Sequence, residues 1–172
     1  MKALSPILSR WPWFALLASA AVLAAAHAFE TFGHLAPCTL CLKEREAYWI
    51  AGSIAAAGAV LDFTPLRRST VRIVCALLAL AFLYSLGYAV YHAGAEWKFW
   101  PGPASCSGGV KATVSDIRAG LDALMRGGKA AIPACDKIVW SFLGLSMAGW
   151  NSLISLGLVV FSALATLRKP AP

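Results

Sequence analysis

Cys38 and Cys41 stand in the stretch Pro37-Cys38-Thr39-Leu40-Cys41-Leu42-Lys43-Glu44-Arg45, with an arginine four residues beyond the second sulfur. Two cysteines at this spacing can close a small disulfide ring and reopen it, because thiolate attack on a disulfide sulfur is reversible. If a helix begins near Cys41, Arg45 lies one turn further along the same face. Its guanidinium and the positive end of the helix would then favour a thiolate at Cys41. The same spacing supplies half a zinc site, but zinc needs a second Cys or His pair at ligand spacing. Cys75, Cys106 and Cys135 form no such pair and His27, His34 and His92 are scattered, so the sequence assigns no metal ligands. A purely structural bridge is the competing reading, since cysteines outside the cytoplasm commonly brace loops. Placement at a membrane boundary beside an arginine favours redox work.

The elements that must hold this pair are membrane spans. Of 172 residues, 59% are hydrophobic and only 13% charged, well outside the range of a soluble domain and within the size of one domain. The net charge of +7 is spread over short hydrophilic gaps, which fits membrane topology and argues against nucleic acid as a partner. Apolar runs at about 11–29, 47–63, 73–92 and 142–167 predict an all-α polytopic membrane protein, a four-transmembrane-helix bundle in a single domain 1–172. The first run ends in Ala26-His27-Ala28, a signal-peptidase-like site. Its length and its interfacial Trp11 and Trp13 favour a retained span over a cleaved signal. External loops are expected at about 30–46 and 93–141.

The N-terminal arm, the Thr64–Arg72 turn and the C-terminal tail carry Lys2, Arg10, Arg67, Arg68, Arg72, Arg168 and Lys169 and no acid. The positive-inside rule puts these pieces, and both termini, in the cytoplasm. Cys38, Cys41, Cys106 and Cys135 then face the compartment where disulfides form, while Cys75 lies inside an apolar run as a small buried hydrophobe. In the long loop, Val114, Ile117, Leu121, Leu124 and Met125 predict a short amphipathic helix over Thr113–Arg126, lying on the membrane or packed on the loop as an ordinary surface helix, stopped by Gly127-Gly128 and flanked by Cys106 and Cys135.

Taken together, four spans, Pro-Cys-x-x-Cys-x-x-x-Arg outside the membrane and a second cysteine pair in the last external loop resemble the DsbB disulfide bond formation family of bacterial inner-membrane proteins. The tracts Tyr91–Trp97 and Leu143–Asn151 also look familial. The resemblance implies a multi-pass protein of the inner membrane that reoxidises a DsbA-like periplasmic thiol oxidase. It implies a membrane quinone as oxidant, ubiquinone in preference to menaquinone. Cys106, paired with Cys135, would exchange with the partner. Electrons would pass to the Cys38–Cys41 bridge, with Cys41 meeting the quinone. Arg45, His92 and Met147 are carried over as quinone-site residues.

Each carries a plainer reading: Arg45 snorkelling to headgroups, His92 anchoring a span end, Met147 filling a core. Glu44 and Glu46 read as solvated or paired with Lys43, and Trp97, Trp100 and Trp150 as membrane-belt residues. The rival functions are a non-catalytic scaffold braced by two disulfides and a conduit carrying reducing electrons outward. The conduit usually needs cysteines within spans, where only Cys75 qualifies.

Overall fold

The computed structural model describes residues 5–35, 37–65, 67–103 and 135–168. Cys106 and the amphipathic stretch Thr113–Arg126 lie outside the described residues. Five helices follow one another among the described residues: α1 (Ser5–Ser9), α2 (Trp11–Thr31), α3 (Thr39–Leu61), α4 (Arg67–Glu96) and α5 (Met147–Leu167). A two-stranded hairpin, β1 (Ser141–Phe142) and β2 (Leu145–Ser146), precedes α5.

The chain is an all-α polytopic membrane protein. Among the described residues, three stretches, Trp11–Thr31, Thr70–Glu96 and Met147–Leu167, are long and apolar enough to cross a bilayer. Leu17, Leu80 and Val160 point outward from them, as side chains that meet lipid do. α3 differs. Its 23 residues suffice in length, but Lys43, Glu44, Arg45 and Glu46 occupy its second turn. Its apolar part, Ala47 to Leu61, rises only roughly 22 Å at 1.5 Å per residue. Within that turn Glu44 and Arg45 are turned towards the bundle, while Lys43 and Glu46 stay exposed.

α3 packs between α2 and α4, and α4 packs on α5. Small residues permit the close approach: Ala47, Ala51, Ala55 and Ala59 recur every four residues on one buried face of α3. α2 and α5 are tied at one end only, where Trp11 Nε1 donates to Ser162 Oγ at 2.8 Å and the Trp11 ring stacks on Phe161. Towards the other end, the space between them is a cavity.

Several boundaries differ from the apolar runs, for identifiable reasons. α3 starts well before Ala47 because the Cys38 side chain caps it. α5 starts at Met147, five residues after the predicted beginning, because Leu143 and Gly144 (φ 52° and 80°) form the two-residue turn of the hairpin. Positive φ at both central residues is the type I′ signature, whose twist suits antiparallel strands. Beyond α4, Trp100 folds back, stacking on Tyr91 and donating to the Tyr91 carbonyl at 2.8 Å. It is thus a packing residue and not only a belt residue.

A Cβ at Gly94 would lie 2.0 Å from the Trp100 ring, whereas one at Gly87 would meet nothing within 4 Å. Gly94→Ala is expected to cost about 1–3 kcal/mol, the usual range for overpacking. Gly87→Ala serves as the control, and thermal unfolding in detergent measures the difference.

Candidate functional site: a dithiol on the wall of an apolar cavity

The dithiol is positioned by the start of α3. Cys38 is its N-cap, in extended conformation, and its sulfur accepts the Cys41 backbone N–H at 3.1 Å. The two sulfurs are 2.7 Å apart, inside van der Waals contact, and both are free thiols. Because the helix begins at Thr39 and not at Cys41, the anion-favouring end falls on Cys38. The hydrogen bond from the Cys41 thiol and that from the Cys41 backbone hold the Cys38 thiol below its ordinary pKa, against the opposing effect of burial. Cys41 is pushed up, first because its proton is held by Cys38 and then by burial. The expected thiolate at Cys41 is corrected: the helix start and the Cys41 N–H instead favour the thiolate form at Cys38.

Arg45 does not spend its charge on a sulfur either. Its guanidinium donates to Glu30 Oε2 at 2.6 Å and to the Ala26 carbonyl at 3.1 Å, fastening α3 to the end of α2. Glu46 pairs with Lys43 at the surface. Glu44 does not: it is buried, accepting from His92 Nδ1 at 2.7 Å and from Asn151 Nδ2 at 2.6 Å. The reading of Glu44 as solvated or paired with Lys43 is therefore overturned. Among the described residues, the fold satisfies this carboxylate with His92 from α4 and the part-buried Asn151 from α5.

These bonds orient the imidazole. With Nδ1–H donating to Glu44, Nε2 is turned to Cys38 Sγ at 3.6 Å. Glu96, on the next turn of α4, is buried too and accepts from the Ser146 hydroxyl, whose oxygen in turn accepts from Gly149 N at 3.1 Å as the cap of α5. The network continues inward: Tyr48 donates to Asn151 at 2.7 Å and lies 3.0 Å from Ser155, which is 3.0 Å from Ser85. All four long helices except α2 contribute.

Beside this polar line lies an apolar cavity of about 430 Å³. Cys41, Arg45, His92 and Met147 all line it, with Glu44 and Asn151 as further polar groups. The rest of its wall includes Leu23 and Ala26 of α2 and an aromatic group gathered from α2, the hairpin region and α5. Phe29 packs on Trp140 (centroids 5.0 Å apart), Trp140 stacks on Phe142, and Phe142 meets Trp150, which donates to the Phe142 carbonyl. Trp150 thus lines the cavity, beyond the belt role read for it. Mostly apolar walls with a few convergent polar groups suit a flat, lipid-soluble ring compound.

Cys135 sits close by. It packs with Cys38 and Leu40 in a small buried cluster, its sulfur 3.6 Å from Thr39 Oγ1, and it is disulfide-bonded. A second redox-capable sulfur is therefore held against the α3 start. The sequence reading missed Glu44, Asn151, Trp140 and Phe142. Glu44 carried one usable signal, an acid within a turn that leads into a span, which is a costly place for an unpartnered carboxylate.

The profile described as Disulfide bond formation protein DsbB matches residues 9–165. The chain belongs to the DsbB family. Among relatives in that family, the Disulfide bond formation protein B of Dechloromonas aromatica (strain RCB) is 31% identical over 160 residues, covering 91% of this chain and 92% of its own. The Disulfide bond formation protein B of Methylococcus capsulatus (strain ATCC 33009 / NCIMB 11132 / Bath) is 31% identical over 150 residues, covering 84% and 85%. No solved structure gives a match. Membership in the DsbB family makes this a membrane protein of disulfide bond formation, with oxidoreduction as its chemistry.

Proposed function

We propose that the chain draws electrons from the dithiol of a DsbA-type periplasmic protein and delivers them, through two cysteine pairs, to a membrane quinone. The observation that carries this is Cys41: its side chain lies on the wall of an apolar cavity, beside Arg45, His92 and Met147, while its partner Cys38 packs against Cys135. One pair thus has a side for each neighbour. In this reading α3 is a fourth span, both termini are cytoplasmic and the α3 start faces the periplasm, an orientation that the distribution of Lys and Arg supports.

The steps balance as follows. The partner's two thiols become its disulfide as a Cys106–Cys135 bridge opens to two thiols. A Cys135 thiolate then attacks Cys38 of the Cys38–Cys41 disulfide, a choice of sulfur favoured by their packing. Resolution by Cys106 restores the loop bridge and leaves two thiols at Cys38 and Cys41. Reclosing that pair releases two electrons and two protons. A quinone bound in the cavity would accept both electrons, since a DsbA-type partner at about −120 mV outstrips thiol buffers and needs a stronger oxidant. Cys41 holds its proton on the cavity side, and His92 Nε2 is placed to take the other from Cys38. Glu44 fixes the ring that does so. Met147 and the aromatic group exclude water.

The assay supplies purified protein with a reduced thioredoxin-like partner and a soluble ubiquinone or menaquinone analogue, and follows quinone absorbance. Turnover with wild type is the expected result, and no change in absorbance with either analogue would refute the proposal. Arg45→Ala, by freeing the end of α2 and one cavity wall, should weaken quinone use while thiol exchange in the loop continues. Equal loss in both half-reactions would make Arg45 purely structural.

A further inference from the structure

We propose that the reduced site binds a thiophilic divalent cation, of which Zn²⁺ is the natural example, through Cys38, Cys41 and His92. The ligand atoms of these three residues lie within 4.8 Å of one another. Zinc bonds of about 2.3 Å to sulfur and 2.0–2.1 Å to nitrogen place tetrahedral ligands about 3.6–3.8 Å apart. Cys38 Sγ and His92 Nε2 already stand at 3.6 Å. The two sulfurs, at 2.7 Å, need only turn apart about their side-chain torsions.

The surroundings supply what a bare cluster lacks. The Cys41 backbone N–H points at Cys38 Sγ, which favours the thiolate a metal requires. His92 donates its other nitrogen to Glu44 at 2.7 Å, the carboxylate–histidine arrangement that orients metal-bound imidazole. Glu44 is itself held by Asn151. Cys38 and His92 are buried, while Cys41 faces the cavity and leaves a fourth position for water. Sequence spacing offered no second ligand pair because the third ligand comes from α4, 54 positions beyond Cys38.

Binding exchanges two thiol protons for one cation and moves no electrons: two S–H bonds break and two S–metal bonds form. Closing the Cys38–Cys41 disulfide removes both thiolates, so oxidation expels the ion and the ion blocks oxidation. The cation would act as a reversible brake on the reduced protein. This requires a reducible pair but no quinone, so the brake and the quinone assay can fail separately.

The test uses the full chain in detergent, reduced with a phosphine, freed of reductant and titrated with Cd²⁺ while sulfur-to-metal charge-transfer absorption is followed. One ion per chain at this site is expected in the reduced form and none after the pair is oxidised. X-ray absorption of the Zn²⁺-loaded protein should show two sulfurs near 2.3 Å and one imidazole nitrogen near 2.0–2.1 Å. Glu44→Gln should weaken binding by about 10–100-fold, the usual cost of losing an outer-shell partner, and His92→Ala by at least as much. Cys75→Ser should bind as wild type does. A sulfur-only shell, undiminished affinity in His92→Ala, or no uptake by reduced wild type would each overturn the proposal.

Discussion

Cys41→Ser is expected to lower quinone-linked turnover by on the order of 10³-fold or more, the scale of losing a covalent participant. A serine keeps the volume and a hydrogen bond to Cys38 but cannot close the sulfur–sulfur bond whose formation releases the two electrons. The loss should be confined to that half of the cycle. Loop exchange with a reduced partner should still give one turnover, read as a single equivalent of oxidised partner per chain. If Cys41→Ser turned over quinone at a rate near wild type, the cavity-facing sulfur would have no part in the chemistry. Folding should change little, because Cys41 is only half-buried and most of the capping geometry at α3 belongs to Cys38.

Glu44→Ala is the second large effect, and it strikes stability and chemistry together. The substitution strips the acceptor from His92 Nδ1–H and from Asn151 Nδ2, two donors on two different helices. An orphaned buried donor such as His92 Nδ1–H costs about 1–3 kcal/mol and the part-buried Asn151 amide less, so a loss of about 3 kcal/mol in detergent unfolding is expected. Turnover should fall about 10²-fold as His92 loses the bond that aims Nε2 at Cys38, the low end of what a placed acid–base group contributes. The pH profile distinguishes this from mere loosening: it should shift in Glu44→Ala but not in a variant of equal instability such as Gly94→Ala. Matching profiles would reduce Glu44 to a brace. Glu44→Gln, which keeps one acceptor oxygen, should recover part of the stability.

Much of the site was legible because its chemistry is written locally. Cys38, Cys41 and Arg45 fall within eight positions, and the apolar runs announce a membrane protein through composition alone. What stayed hidden required partners from distant segments. Glu44 and Glu46 look alike in sequence, yet one pairs with Lys43 in water and the other meets His92 and Asn151 inside the bundle. A two-residue phase difference on α3, roughly 200° of rotation at 3.6 residues per turn, separates the two fates. Trp140 and Phe142 look like ordinary loop aromatics until the Leu143-Gly144 turn folds them over the cavity.

By itself, then, the sequence determined the class of protein and the reagent: apolar runs of spanning length must leave water, and two cysteines three positions apart on a helical start are bound to meet. Only the tertiary structure decided which sulfur the helix start favours as a thiolate, because the answer depends on whether the first helical residue is Thr39 or Cys41. It alone brought His92 and Cys135 to Cys38 from separate elements, and set Glu44 against the far side of the His92 ring. Proximity in the chain is fixed by covalent bonds, but proximity between helices is fixed by which faces bury best, and that is a property of the whole packed bundle.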